Sequence, residues 1–248
     1  MTQPINYSYH STNQFRNVVK SVKEQSTFMG VEDGKPVYDY TKPLPKLEYI
    51  GTTKLHGTNA SIILHEDGTI SFHSKNNLLG YVRDEEFTLL SDNAGFAQSM
   101  FRRFDSVKQI LQKAVKVVRK HRGVELYPVK VSGEWCGQGI QRGVGISYLP
   151  KRSFFIFGVK GGETTQQVKQ GWLPIHKCSD IVDNYNKDQG IYAITNFPCK
   201  FVTIDFSNPE FAQNMLVSAT EEVENCCPVS QQLKLKNAEG QPELLGEG

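Results

Sequence analysis

The run Ser153-Phe154-Phe155-Ile156-Phe157-Gly158-Val159 is apolar at nearly every position. A strand with one face in water alternates apolar and polar residues; one without alternation is buried on both faces. The chain therefore has to cover this segment from two sides. Other strands are readable around it. Val129 to Trp135 alternates, Lys200 to Asp205 reads as a further strand, and Thr69 to Lys75 alternates as well. The last of these follows Ile62-Ile63-Leu64 through Glu66-Asp67-Gly68, a hairpin signal. Upstream, the apolar run Leu47-Glu48-Tyr49-Ile50 leads into Thr53-Lys54-Leu55-His56-Gly57-Thr58-Asn59-Ala60-Ser61. This pattern predicts two strands joined by a sharp glycine turn, with Lys54 near the end of the first and facing the cavity of the sheet.

Helical spacing appears in three places. Phe15, Val18, Val19 and Val22 mark a short amphipathic helix over 13–25. From Ala94 to Arg122, Phe96, Met100, Phe104, Val107, Leu111, Ala114 and Val118 recur at three- and four-residue steps. The other face of that helix carries Arg102, Arg103, Lys108, Lys113, Lys116, Arg119 and Lys120. Such a face is either solvated or in contact with phosphates. Asn208-Pro209-Glu210 places a cap and an N1 proline before a helix running to about residue 225. The segment from Met29 to Pro45, with two glycines and three prolines, reads as turns and loop. No repeat, low-complexity tract or linker divides the chain. The expectation is one α+β domain of twisted, largely antiparallel strands with helices outside.

At 248 residues the chain can bury a sizeable core, and 38% hydrophobic with 22% charged residues is ordinary for a globular protein. A net charge of +2 permits a polyanionic partner without demanding one. No apolar run approaches the roughly 20 residues needed to cross a bilayer, and the first residues lack the basic and apolar parts of a signal peptide. The five cysteines, Cys136, Cys178, Cys199, Cys226 and Cys227, form no C-x-x-C pair and no zinc spacing. An odd number with two adjacent fits reduced thiols in a cytoplasmic setting.

Two strings carry chemistry. Alone, Lys54 is either a solvated strand-end lysine or a nucleophile, since an amine in a dry pocket beside other cations can attack a phosphorus or carbonyl centre. The full string Lys54-Leu55-His56-Gly57-Thr58-Asn59 resembles the nucleotidylated lysine motif of covalent nucleotidyltransferases. Within that superfamily it is most similar to the bacteriophage RNA ligases that seal nicks in duplex RNA. The second string is Gly133-Glu134-Trp135-Cys136-Gly137-Gln138-Gly139-Ile140-Gln141, with three glycines in seven residues, as a backbone close to a ligand requires. It resembles the same family's pattern G-E-[aromatic]-x-G-x-G-I-Q.

The resemblance implies a nucleotidyltransferase (ATP-grasp-like) fold, ATP and Mg2+ or Mn2+ as cofactors, and RNA ends or nicked duplex RNA as partner, in a monomer that works away from membranes. It implies that Lys54 takes AMP, that His56 serves the phosphoryl chemistry, and that Asn59 contacts phosphate or the RNA end. Glu134 would bind the ribose hydroxyls and Phe154, twenty residues on, would stack on adenine, although its surroundings also suit plain core. Lys75 stands where the family carries arginine, and lysine cannot make the bidentate fork. Thr53 stands where nick-sealing relatives carry a carboxylate that reads the adenine amine. The family's fourth motif, E-G followed by apolar residues, has its best match in Gly246-Glu247-Gly248, which implies that Glu247 is a metal ligand. On that reading residues 1–248 are an adenylyltransferase domain that stops within the fourth motif. A rival reading takes Lys234-Leu235-Lys236 as the fifth motif, K-x-K, and Glu221-Glu222 as a degenerate fourth. It is the weaker one, because no glycine follows Glu222 and the pair sits in a helical run. Two other functions fit parts of the pattern: a DNA ligase or capping guanylyltransferase, and a nucleic-acid-binding module without chemistry.

Overall fold

The computed structural model describes residues 13–162 and 171–247. The leader-free start of the chain and Gly248, the end of the fourth-motif string, lie outside them. In chain order the first half comprises α1 (Phe15–Thr27), β1 (Phe28–Glu32), β2 (Lys35–Tyr38), β3 (Lys46–Gly51), β4 (Thr58–Leu64), β5 (Ile70–Ser74), β6 (Leu78–Arg83), β7 (Glu86–Leu89), α2 (Phe96–Arg102) and α3 (Phe104–Arg122). The second half comprises β8 (Val129–Cys136), β9 (Ser153–Gly161), α4 (Asn184–Asp188), β10 (Ile191–Ala193), β11 (Lys200–Asp205), α5 (Pro209–Asn225) and α6 (Pro228–Gln232).

A seven-stranded sheet in the order β10-β9-β8-β4-β5-β6-β7 dominates the fold. Its neighbours are antiparallel except β10 and β9, which run parallel. As the unbroken apolar run requires, β9 is covered on both sides. Helices α2 and α3 pack on one face, where Ile62, Phe72, Val131, Trp135, Phe154 and Ile156 meet Val107, Ile110 and Ala114. On that face the Phe96 ring lies 5.5 Å from Trp135 and 5.0 Å from Phe154. A second core, holding Leu55, Cys136, Ile146, Phe155, Phe197 and Val229, covers part of the other face. A third lies away from the large sheet, where α1 and α5 cover the β3–β11 ribbon through Val18, Val22, Val202, Ile204 and Ala212.

Four local expectations are corrected. β3 and β4 do not pair; β3 joins β11 in a two-stranded ribbon, and residues 52–57 cross from that ribbon to the large sheet. The segment from Met29 to Pro45 contains the β1–β2 hairpin, turning at Asp33-Gly34, whose glycines and Pro36 mask its alternation. The long helix breaks at Arg103, with φ −112° and ψ 32°, because its guanidinium turns inward to donate to the Arg152 carbonyl at 3.0 Å. Asn208 precedes α5 without a side-chain capping bond, so only the N1 proline of that start signal holds.

The basic face of α3 points away from the sheet, and its charges meet acids of this chain. Lys108 pairs with Asp105 at 3.2 Å, Lys113 with Asp183 at 2.6 Å and Arg119 with Glu125 at 3.1 Å. Substituting Ile110→Ala on the buried side should cost about 2–5 kcal/mol in a denaturant melt. Lys116→Ala on the exposed side should stay within about 0.5 kcal/mol of the parent.

Candidate active site

The crossing segment 52–57 has no sheet partner, so its side chains are placed by anchors. Thr53 and Leu55 are buried, Leu55 within the second core, and this turns Lys54 to the opposite, open side. Gly57 fixes the end of the crossing against β8. A Cβ built there would meet the Trp135 carbonyl oxygen at 2.5 Å, Cys136 Sγ at 2.6 Å and Glu134 Cγ at 2.8 Å. Real Cβ atoms do not approach so closely, so only glycine lets the two segments touch. Lys54, His56 and Glu134 thus face one cavity of about 750 Å³.

Glu247 completes it from the far end of the sequence. Lys54 Nζ donates to Glu247 Oε1, and His56 Nδ1 lies 2.9 Å from Glu247 Oε2. The tail is brought there by backbone bonds. The Cys227 N–H donates to the Leu244 carbonyl at 2.6 Å, Gly145 to Leu245 at 2.8 Å, and Gly246 to Glu224 at 2.8 Å. Gly246 lies flat against α5, where a Cβ would meet the Val223 carbonyl oxygen at 2.2 Å.

The two carboxyls of the cavity respond differently. Burial pushes Glu134 up to about 7, the Glu247 carboxylate adds to the rise, and the Gly57 N–H and Lys54 only partly oppose it. Burial also raises Glu247, but the hydrogen bonds and charges of Lys54 and His56 outweigh it and hold the carboxyl below its ordinary value. Among the described residues no group of three or more His, Cys, Asp or Glu could hold a metal by itself. A hard cation such as Mg2+ needs only one or two carboxylates when substrate phosphates supply the other oxygens. Two carboxyls that raise each other's cost of ionisation fit that demand, with Glu247 as the ionised one.

The remaining wall is apolar: Phe155, Phe157, Ile175 and Ile194. Here the structure differs from the sequence expectation for Phe154. Across the β8–β9 pair, Glu134 stands opposite Phe155 and Trp135 opposite Phe154. Directly paired residues share a face, so Phe155 faces the cavity and Phe154 the helix-packed core. Phe155 is fully buried beneath Tyr192, stacked at 5.1 Å and 22°, and forms the floor. An irregularity in the β8–β9 register beside Ser132 and Gly133 leaves Phe157 on the cavity side, partly exposed.

Asn59 stands opposite Glu134 across β4 and β8 but lines a second, neighbouring cavity. Lys75 is exposed in the turn after β5 and does not line the Lys54 cavity. Lys234 and Lys236 are exposed and are likewise absent from its lining. Two contributors were not singled out in the sequence. Gln141, the last residue of the second string, enters the cavity and donates to the Gly57 carbonyl at 3.4 Å. Tyr192, which covers the floor aromatic, lies on a three-residue strand with no sequence signal of its own.

Because Glu134 holds its proton to about pH 7 when folded and to about 4.5 when unfolded, the native state binds more protons between those values. Its contribution to stability is therefore full below about 4.5 and lost as pH rises through about 7. Glu134→Gln should remove that decline: melts at pH 5 and pH 8 should show the variant gaining on the parent at the higher pH.

The profile of a family described as RNA ligase matches residues 47–240. No curated protein sequence matches the chain significantly. Among solved structures, a Naegleria gruberi RNA ligase with pyrophosphate superposes with a TM-score of 0.50 at 13% identity, covering 98% of this chain and 56% of that one. A mutant of that ligase with AMP and manganese gives 0.45 at 14%, covering 82% and 45%. Another, with ATP and manganese, gives 0.44 at 15%, covering 81% and 45%. The chain thus spans about half the length of the solved ligases it matches, and the likeness is one of fold: mixed sheets with flanking helices.

Proposed function

Given that the chain belongs to the RNA ligase family, we propose that it is an ATP-dependent RNA ligase that works through a lysyl-AMP at Lys54. The observation that carries the reading is the convergence of Lys54, His56, Glu134 and Glu247 on one cavity with an aromatic wall. An amine, an imidazole and two carboxyls of unequal acidity suit phosphoryl chemistry on a nucleotide better than simple binding.

In the first step Lys54 Nζ, once it has lost a proton, attacks the α-phosphorus of ATP. The N–P bond forms, the bond to the bridging oxygen breaks, and pyrophosphate leaves. Glu134 binds the ribose hydroxyls, and the Gly57 contact with β8 holds that carboxyl beside the nucleophile. The base packs on the aromatic wall at Phe157, with Phe155 beneath it, a role transferred from Phe154. Thr53 lies buried at the same wall and leaves adenine to be read by backbone groups. Glu247, with Glu134 near it, would hold Mg2+ or Mn2+, whose charge offsets that of the triphosphate. His56 steers Glu247 through the Nδ1 contact. AMP then passes to a 5′-phosphate RNA end: its phosphorus leaves Nζ for a terminal phosphate oxygen. The 3′-hydroxyl of a second end attacks the 5′-phosphate, the phosphodiester forms and AMP leaves.

Incubation with α-labelled ATP followed by a denaturing gel tests the first step. Label should stay on the protein, resist alkali and be lost in acid, as a phosphoramidate is. Lys54→Ala should abolish it, and undiminished labelling of that variant would refute the mechanism.

A second measurement tests the aromatic assignment. Base stacking contributes about 1–3 kcal/mol by alanine substitution, so Phe157→Ala should lower kcat/KM for ATP by roughly five- to hundredfold. Phe154→Leu should lower the melting temperature and leave the KM for ATP near the parent's. A raised KM in Phe154→Leu with an unchanged one in Phe157→Ala would return the base to Phe154.

A further inference from the structure

Joining two RNA ends requires a second substrate strand beside the adenylate, and the reading above fills the Lys54 cavity with the nucleotide alone. A separate cavity of about 590 Å³ opens where β4 begins. The two meet at one peptide bond, for Gly57 lines the first and Thr58 the second. Consecutive strand residues point to opposite faces. Asn59 thus shares the face of Glu134, while Thr58 shares that of Ala60, and the start of β4 stands between the two cavities.

The chemistry of the second cavity is unlike that of the first. Its buried floor is Ala60, Leu79 and Phe96. Around it stand Thr58, Asn59, Asn77, Ser91 and Asn93. No side-chain hydrogen bond is made by any of these five among the described residues. The acid in the lining, Asp92, is already engaged: its carboxylate accepts from the Phe96 N–H at 2.7 Å and the Gln98 N–H at 3.0 Å. No lysine, arginine or histidine is among the described lining residues, so the cavity is not built for a dense phosphate charge. Amides and hydroxyls both donate and accept, as does a ribose diol, and a 2′-hydroxyl is what separates RNA from DNA.

We infer that this cavity holds the terminal ribonucleoside of the RNA strand that carries the free 3′-hydroxyl, and that Asn77, Ser91 and Asn93 read its ribose. The inference rests on the ligase reading of the neighbouring cavity. It places the acceptor end across β4 from the adenylate, one residue beyond the segment that carries Lys54.

The test compares two oligonucleotides identical except for the last sugar, ribose or 2′-deoxyribose, each ending in a 3′-hydroxyl. Binding is measured by fluorescence anisotropy for the parent chain and for the triple variant Asn77→Ala, Ser91→Ala, Asn93→Ala. All three residues are exposed, so the variant should keep the parent's melting temperature. The parent should prefer the ribose end by about tenfold, the size expected of one or two neutral hydrogen bonds, and the variant should lose that preference. The single variant Asn77→Ser, which keeps some hydrogen bonding, should fall between. Equal binding of both ends by the parent, or a preference that survives in the triple variant, would overturn the inference. Sealing of the same two strands to a pre-adenylylated 5′ end separates the two readings. A parent that binds with the expected preference yet joins neither strand would refute the ligase reading and leave the subsite supported. A parent that joins both strands equally well, with the variant unchanged, would refute the subsite and leave the ligase reading intact.

Discussion

The approach of Gly57 to β8 is the contact on which the site depends. It brings the crossing segment within bonding distance of the strand that carries Glu134, so the Gly57 N–H reaches that carboxyl while its carbonyl takes a bond from Gln141. A side chain at position 57 would have to displace backbone at Trp135, which cannot move without disturbing pairing with both β4 and β9. Leu55 then acts as the peg that sets the roll of the segment, and Lys54 and His56 are left on the open side. The glycine is a steric requirement of the sheet before it is a feature of the chemistry.

The large sheet is asymmetric for a related reason. One face is covered by α2 and α3 and is wholly apolar across its centre. The other face carries Ser61, Ser71, His73, Lys130, Ser132 and Glu134, which alternate with the core residues of the same strands. Its polar groups are held partly by one another, with Ser71 Oγ placed between His65 Nε2 at 2.7 Å and His73 Nε2 at 2.8 Å. Burial, aided by Lys130 and His65, holds His73 down to about 3, so this ring stays neutral and adds no charge beside the site. Titration near neutral pH on this face falls instead to Glu134 and to the buried Lys130, lowered to about 8 by burial and by Lys160.

Charge in the cavity is arranged around one carboxylate. Glu247 touches both Lys54 and His56, and its negative charge in turn raises Glu134. One tail residue thereby couples all three groups on which the proposed chemistry relies. That tail is secured through its backbone to α5, to α6 and to the loop after β8, so the position of Glu247 reports the packing of half the fold.

The sequence by itself determined what is local. The doubly buried β9, the β4–β5 hairpin and the amphipathic helices follow from periodicity, and the two strings around Lys54 and Glu134 mark the site because their residues act within a few positions of one another. Tertiary structure alone decided which aromatic faces the cavity. A run with phenylalanine at 154, 155 and 157 has no parity of its own, and its faces are set by the register with β8 and the irregularity in it. It also decided that β3 leaves the large sheet for β11, because ribbon pairing across some 150 residues depends on which apolar face α1 and α5 leave to cover. Above all it decided the partner of Lys54. Glu247 lies 193 residues away, and no local pattern encodes an ion pair whose geometry is set by backbone bonds elsewhere in the chain.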